Sequence, residues 1–69
     1  MSVAKVIEIT AESRESFEAA IREGITRASK TVKNMQSAWV SEQHVRIEKN
    51  KIAGYRINLR IVFLLGDKE

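Results

Sequence analysis

One tryptophan, Trp39, stands on a segment whose same-parity neighbours Ser37, Ser41 and Gln43 are small or polar. A large flat ring with so little apolar company is a candidate contact for a flat ligand or a partner. Arg56, Gln43 and Asn58 are the polar residues that would accompany it, each also readable as a solvated strand position. Packing of Trp39 in a contact between subunits is an equally good reading, because Trp supplies large area and a single donor at such interfaces. Arg46, Arg56 and Arg60 are as well suited to an intersubunit salt-bridge network with Glu42, Glu48 or Asp67 as to ligand binding. His44 is the only histidine and there is no cysteine, so neither a histidine cluster nor a thiolate site for a transition metal exists. The carboxylates Glu8, Glu12, Glu15 and Glu42 could meet a hard cation such as calcium at a symmetry axis, although no loop has the spacing of a dedicated calcium site. No nucleophile with a base, no acid pair and no phosphate loop is found, which argues against an enzyme and leaves no catalytic residue to name.

The elements that must position these residues follow from periodicity. Val3 to Thr10 is short and rich in Val and Ile, as a strand should be. A helix follows, with Ser13 as its expected N-cap, Glu12, Glu15 and Glu18 near its positive end and Arg27, Lys30 and Lys33 near its negative end. Its apolar stripe runs through Phe17, Ala20, Ile21, Gly24, Ile25, Ala28, Val32 and Met35, and Asn34 is suited to the left-handed conformation that ends a helix. Glu18 with Arg22 and Glu23 with Arg27 lace the solvated side. Gly24 within the stripe costs about 1 kcal/mol relative to Ala, so close packing against a strand is expected there.

Ser37 to Glu48 and Tyr55 to Leu65 then read as two strands joined by a turn around Asn50, with Gly54 a bulge. In the second, Tyr55, Ile57, Leu59, Ile61, Phe63 and Leu65 form one apolar row, alternating with Arg56, Asn58, Arg60, Val62 and Leu64. In the first, Trp39 shares its parity with Val45 and Ile47, which implies a bulge or register change at an unspecified place. The order strand, helix, strand, strand gives an α+β domain spanning 1–69: a three-stranded antiparallel sheet packed on one helix. One helix covers one sheet face and leaves the other open, exposing Val62, Leu64 and Trp39.

A chain of 69 residues buries only about 60% of its unfolded surface, so the core is marginal without help. With no disulfide available, self-association is the expected remedy. The formal charge of +3 is mild and spread along the chain. No run approaches the roughly 18 apolar residues of a membrane span and no leader pattern is visible, so a soluble, cytoplasmic protein is expected.

The runs SVAKVIEITAESRESFEAAIREGITRASKTVKN and EQHVRIEKNKIAGYRINLRIVFLL resemble the dodecins, small strand, helix, strand, strand proteins that form hollow dodecamers and bind flavins. The S-x-E-S-F start at Ser13 to Phe17, the R-A-x-x-T-V end at Arg27 to Val32 and the closing strand from Tyr55 to Phe63 carry the resemblance over Val3 to Leu65. It implies a homododecamer with FMN or riboflavin stacked on a tryptophan at sites between subunits. The family's tryptophan aligns with Ser37, and Trp39 lies roughly 6 to 7 Å further along the strand. The glutamine that usually follows the last strand's aromatic residue is replaced by Arg56. An arginine cannot accept a hydrogen bond, but its planar fork suits an FMN phosphate or a carboxylate.

The implied function is a cage that stores or sequesters a flavin, with Trp39 stacking and Ser37, Gln43, Arg56 and Asn58 around it. The alternative is a cage that has lost the flavin site and is ion-stabilised, for example by calcium, or structural. Nucleic-acid binding through Trp39, Arg56 and Arg60 ranks third, because an RNA-binding sheet normally offers more than one exposed aromatic residue.

Overall fold

The computed structural model describes residues 3–66. Strand β1 (Ala4–Ser13), helix α1 (Phe17–Ala28), strand β2 (Met35–Glu48) and strand β3 (Lys51–Leu64) follow in order. The sheet is antiparallel with spatial order β1-β3-β2, so the most apolar strand lies in the centre and both outer strands are edges. This is the expected α+β architecture.

Burial follows the alternation of β3. Ile57, Leu59 and Ile61 face α1 and are fully buried with Ala20, while Ile9, Ala11, Phe17, Ile21, Ile25 and Val40 pack around this cluster. The Phe17 and Tyr55 rings meet edge to face at 5.2 Å. Gly24 is buried, and a Cβ there would come within 3.3 Å of Ala11 Cβ and of Leu59 Cδ1, which is the close helix-on-strand approach its position implies.

The ends of α1 differ from expectation. Ser13 is the last residue of β1, where it pairs with Tyr55, and its Oγ accepts from the Glu15 N–H at 2.9 Å. The cap is Ser16, whose extended backbone lets its Oγ accept from the Ala19 N–H. At the other end the helix stops at Ala28, and the Lys30 and Thr31 N–H groups bond to carbonyls three residues back. Val32 and Met35 therefore lie beyond the helix, and Met35 opens β2. Asn34 does adopt a left-handed conformation (φ 63°), but it turns the chain into β2 rather than capping α1.

The hairpin turn is Lys49–Asn50, both left-handed at φ 53° and 64°, as a two-residue turn with the strands' twist requires. The bulge expected at Gly54 is displaced by one residue. Arg46 pairs with Gly54 and Ile47 with Ile52, which leaves Ala53 as the extra residue. On β2 the extra residues are Gln36 and Ser41.

Candidate functional site: the open face of the sheet

Directly paired residues of an antiparallel sheet project to the same side. The face away from α1 therefore carries Arg56, Asn58, Arg60 and Val62 of β3, and their partners across the register belong with them. On β1 these partners are Val6, Glu8, Thr10 and Glu12. On β2 they are Ser37, Trp39, Glu42 and His44, opposite Val62, Arg60, Asn58 and Arg56 respectively.

Four of the expected site residues, Ser37, Trp39, Arg56 and Asn58, thus share one surface. Gln43 does not. It pairs with Ile57 and points to the helix side, because Ser41 is an extra residue between Val40 and Glu42 and reverses the alternation after it. The same bulge removes the conflict in β2: Trp39 is on the open side, whereas Val45, opposite Tyr55, is on the helix side.

Trp39 is 47% exposed and stands directly opposite Arg60. Arg60 has only a loose partner, with its Nε 3.9 Å from Glu8 Oε1. Arg56, by contrast, is engaged: its Nε and Nη2 lie 3.0 and 2.9 Å from Glu12 Oε1. The other oxygen of Glu12 accepts from Arg46 Nε at 3.1 Å and Nη2 at 2.7 Å, and Arg46 Nη1 pairs with Glu48. The bonds from Arg46, assisted by Arg56, hold the Glu12 carboxyl below its ordinary range against the opposing effect of desolvation. Reciprocally, Glu12 makes Arg46 harder to deprotonate.

This arginine network lies within one protomer and centres on Glu12, rather than Glu12 serving the helix N-terminus or a cation as its sequence position suggests. Only Glu48 of the partners expected from sequence takes part, and Asp67 lies outside the described residues. The signal that could have found Glu12 is its parity with Glu8 and Thr10 on a strand that extends to Ser13.

Asn58 uses both ends of its amide, accepting from Thr10 Oγ1 at 3.0 Å and donating to Glu42 Oε1 at 3.4 Å. Ser41 donates to Glu8 Oε2 at 3.1 Å. Among the described residues no group of three or more metal-ligating side chains converges, so Glu8, Glu12, Glu15 and Glu42 do not form a cation site within a protomer. The face is thus a flat platform with an aromatic ring and a lightly paired arginine near its middle, apolar residues at one end and a closed charge network at the other.

Comparison with known proteins decides the family. The dodecin family model matches residues 3–66. The chain belongs to the dodecin family. It is similar to the calcium dodecin of Mycobacterium tuberculosis, at 38% identity over 63 residues, covering 91% of this chain and 89% of the relative. A crystal structure of that calcium-chelating antigen, described as having a novel calcium-binding site, superposes with a TM-score of 0.82 at 36% identity over 99% of this chain and 97% of that one. The dodecin of Streptomyces davaonensis superposes with a TM-score of 0.90 at 30% identity, covering 96% and 97% of the two chains. An arginine-to-alanine variant of the Thermus thermophilus dodecin gives the same TM-score and identity, covering 97% of this chain and all of that one. Among the described residues of this dodecin, no helix is long and apolar enough to cross a membrane.

Proposed function

We propose that this protein is a homododecameric binding protein that sequesters a flavin, FMN or riboflavin, by stacking its ring on Trp39 where protomers meet. The observation that carries this reading is the half-exposed indole on the open sheet face, opposite Arg60 and away from the core. Aromatic stacking needs a free ring face and a neighbouring surface to complete the sandwich, which a symmetry-related protomer would provide. Ser37 and Asn58 share the open face with the ring, each one register step from the Trp39–Arg60 pair on that face, and Asn58 is already satisfied by Thr10 and Glu42. Arg56 is committed to Glu12, so Arg60 is the donor left beside the ring. The site binds and holds; it does not transform.

The test is a titration of ligand-free protein into riboflavin and into FMN, followed by flavin fluorescence. Strong quenching that Trp39→Ala abolishes is the expected result. Unquenched fluorescence at micromolar protein would overturn the reading.

A second reading is favoured by the likeness to a calcium dodecin: a cage without flavin, stabilised by ions. It requires acidic side chains from several protomers, Glu8 and Glu42 being the open-face carboxylates not held by two arginines. Under this reading, calcium chelation lowers the melting temperature of the assembly and Trp39→Ala leaves it dependent on calcium.

A further inference from the structure

The pairing of β1 with β3 ends at Ser13 and Tyr55, whereas β2 and β3 run on together to their turn at Lys49–Asn50. Residues 46–54 therefore form a two-stranded arm without a third strand. Ile47 and Ile52 on it are 61% and 55% exposed, so little apolar burial fixes its orientation. Two-stranded ribbons are marginal by themselves.

At the base of this arm Glu12 reaches from β1 across the whole width of β3 to Arg46 on β2. The crossing passes over Gly54, the residue opposite Arg46. A Cβ on Gly54 would lie 2.6 Å from Glu12 Oε2 and 3.2 Å from Arg46 Nη2, so the missing side chain is the gap through which the bond passes. Arg56, on the central strand, holds the second carboxylate oxygen, and Arg46 continues up the arm to Glu48. One carboxylate thus ties together all three strands where the three-stranded sheet gives way to the arm.

We infer that Glu12 is a latch that fixes the β2–β3 arm to the body of the sheet and that opens in acid. The mechanism is electrostatic. As a carboxylate Glu12 accepts from two guanidinium groups; once protonated it loses the charge that holds both. Its folded-state ionisation lies below the ordinary value of 4.5, so the tie is complete above that pH and is lost progressively as the pH falls below it.

Several other charged groups face or border the latch. Arg46 and Arg56 stay protonated. His44 lies opposite Arg56 on the same face. Glu48 pairs with Arg46 and is mostly exposed. From the helix, Glu23 and Arg27 border the groove whose lining includes Glu12, and they pair with each other at 3.4 Å.

Amide hydrogen exchange of the full-length protein tests the latch, with rates corrected for their intrinsic pH dependence. At pH 7, Glu12→Gln should raise exchange of the arm amides, residues 47–53, by about tenfold while leaving Leu59 and Ile61 at the sheet centre unchanged. The parent should approach the variant's arm rates as the pH drops below 4.5, and the variant's arm should lose that acid response. Gly54→Ala is an independent probe, because its Cβ meets the end of a flexible side chain and would displace the carboxylate without disturbing the core. It should loosen the arm in the same way. Arm exchange that is unchanged in both variants overturns the inference. So does loss of protection shared equally by the sheet centre, since Glu12 would then stabilise the whole domain. An acid response that sets in above pH 5 and disappears in His44→Asn also overturns it, since histidine would be the titrating group.

Discussion

Trp39 and Arg56 pull the ligand question in opposite directions. If the indole is the stacking surface, Trp39→Ala should lose about 1 to 3 kcal/mol of flavin binding, by analogy with bases stacked on aromatic side chains, and leave the oligomer intact. Isothermal titration with riboflavin reads the first quantity and light scattering the second. If the indole is packing at an interface, the same substitution loosens the assembly instead. Arg56→Gln restores an amide that both donates and accepts, and it should tighten flavin binding relative to the parent if that side chain reaches the ring. It also leaves Glu12 with Arg46 as its only arginine, so a modest fall in melting temperature should accompany any gain. Flavin affinity no better than the parent's would mean that the ring sits nearer Arg60, opposite Trp39. Trp39 was legible in the sequence because it was the one large ring among small polar neighbours. The misplacement of Gln43 was not, since a bulge at Ser41 adds one residue without any marker residue and reverses every side chain beyond it.

At the level of elements, α1 is held by a few contacts, and each can be weighed. Phe17 is half-buried against the core cluster and stacks edge to face on Tyr55. Phe17→Ala should cost about 3 kcal/mol, the lower end for a truncated aromatic, and thermal unfolding should shift far enough to make folding dependent on assembly. A variant melting within a few degrees of the parent would show that the ring contributes little. Gly24→Ala pits two effects against each other. Helix propensity gains about 1 kcal/mol, while a new methyl 3.3 Å from Ala11 Cβ presses on an atom fixed to the β1 backbone, and overpacking of this kind costs about 1 to 3 kcal/mol. The squeeze should win, giving a lower melting temperature. Element types and their order were readable from the apolar spacing, and the close approach at Gly24 from its place in the stripe. The helix ends were not: Ser13 and Ser16 are equally good caps by residue type, and tertiary pairing with Tyr55 claims the first for β1. Val32 and Met35 continue the helical spacing by coincidence of period, because the chain leaves the helix for a turn after Ala28.

The whole molecule is too open for a solitary protomer. Its accessible surface is 5255 Å², where a compact monomer of its mass would expose about 4400 Å². Its radius of gyration is 14.2 Å, against about 11 Å for a compact chain of this length. Among the described residues the fully buried core side chains are Ala20, Ile57, Leu59 and Ile61, and both outer strands present unpaired edges. Val6, 49% exposed, lies opposite Val62 at the apolar end of the open face, and Leu64 continues that patch. Such a surface is costly in water and is relieved when other protomers cover it. Light scattering should therefore report a particle near twelve times the 7.8 kDa chain mass, and a monomer at micromolar concentration would defeat both the surface argument and the proposed cage. Val6→Asp separates folding from assembly. The position is half-exposed in the protomer, so the charge should leave the circular dichroism of the single domain unchanged. Covered by another protomer, the same carboxylate would be buried without a partner, and the scattering mass should fall. An intact particle carrying the aspartate would place the assembly contact elsewhere, on the strand edges rather than on this face.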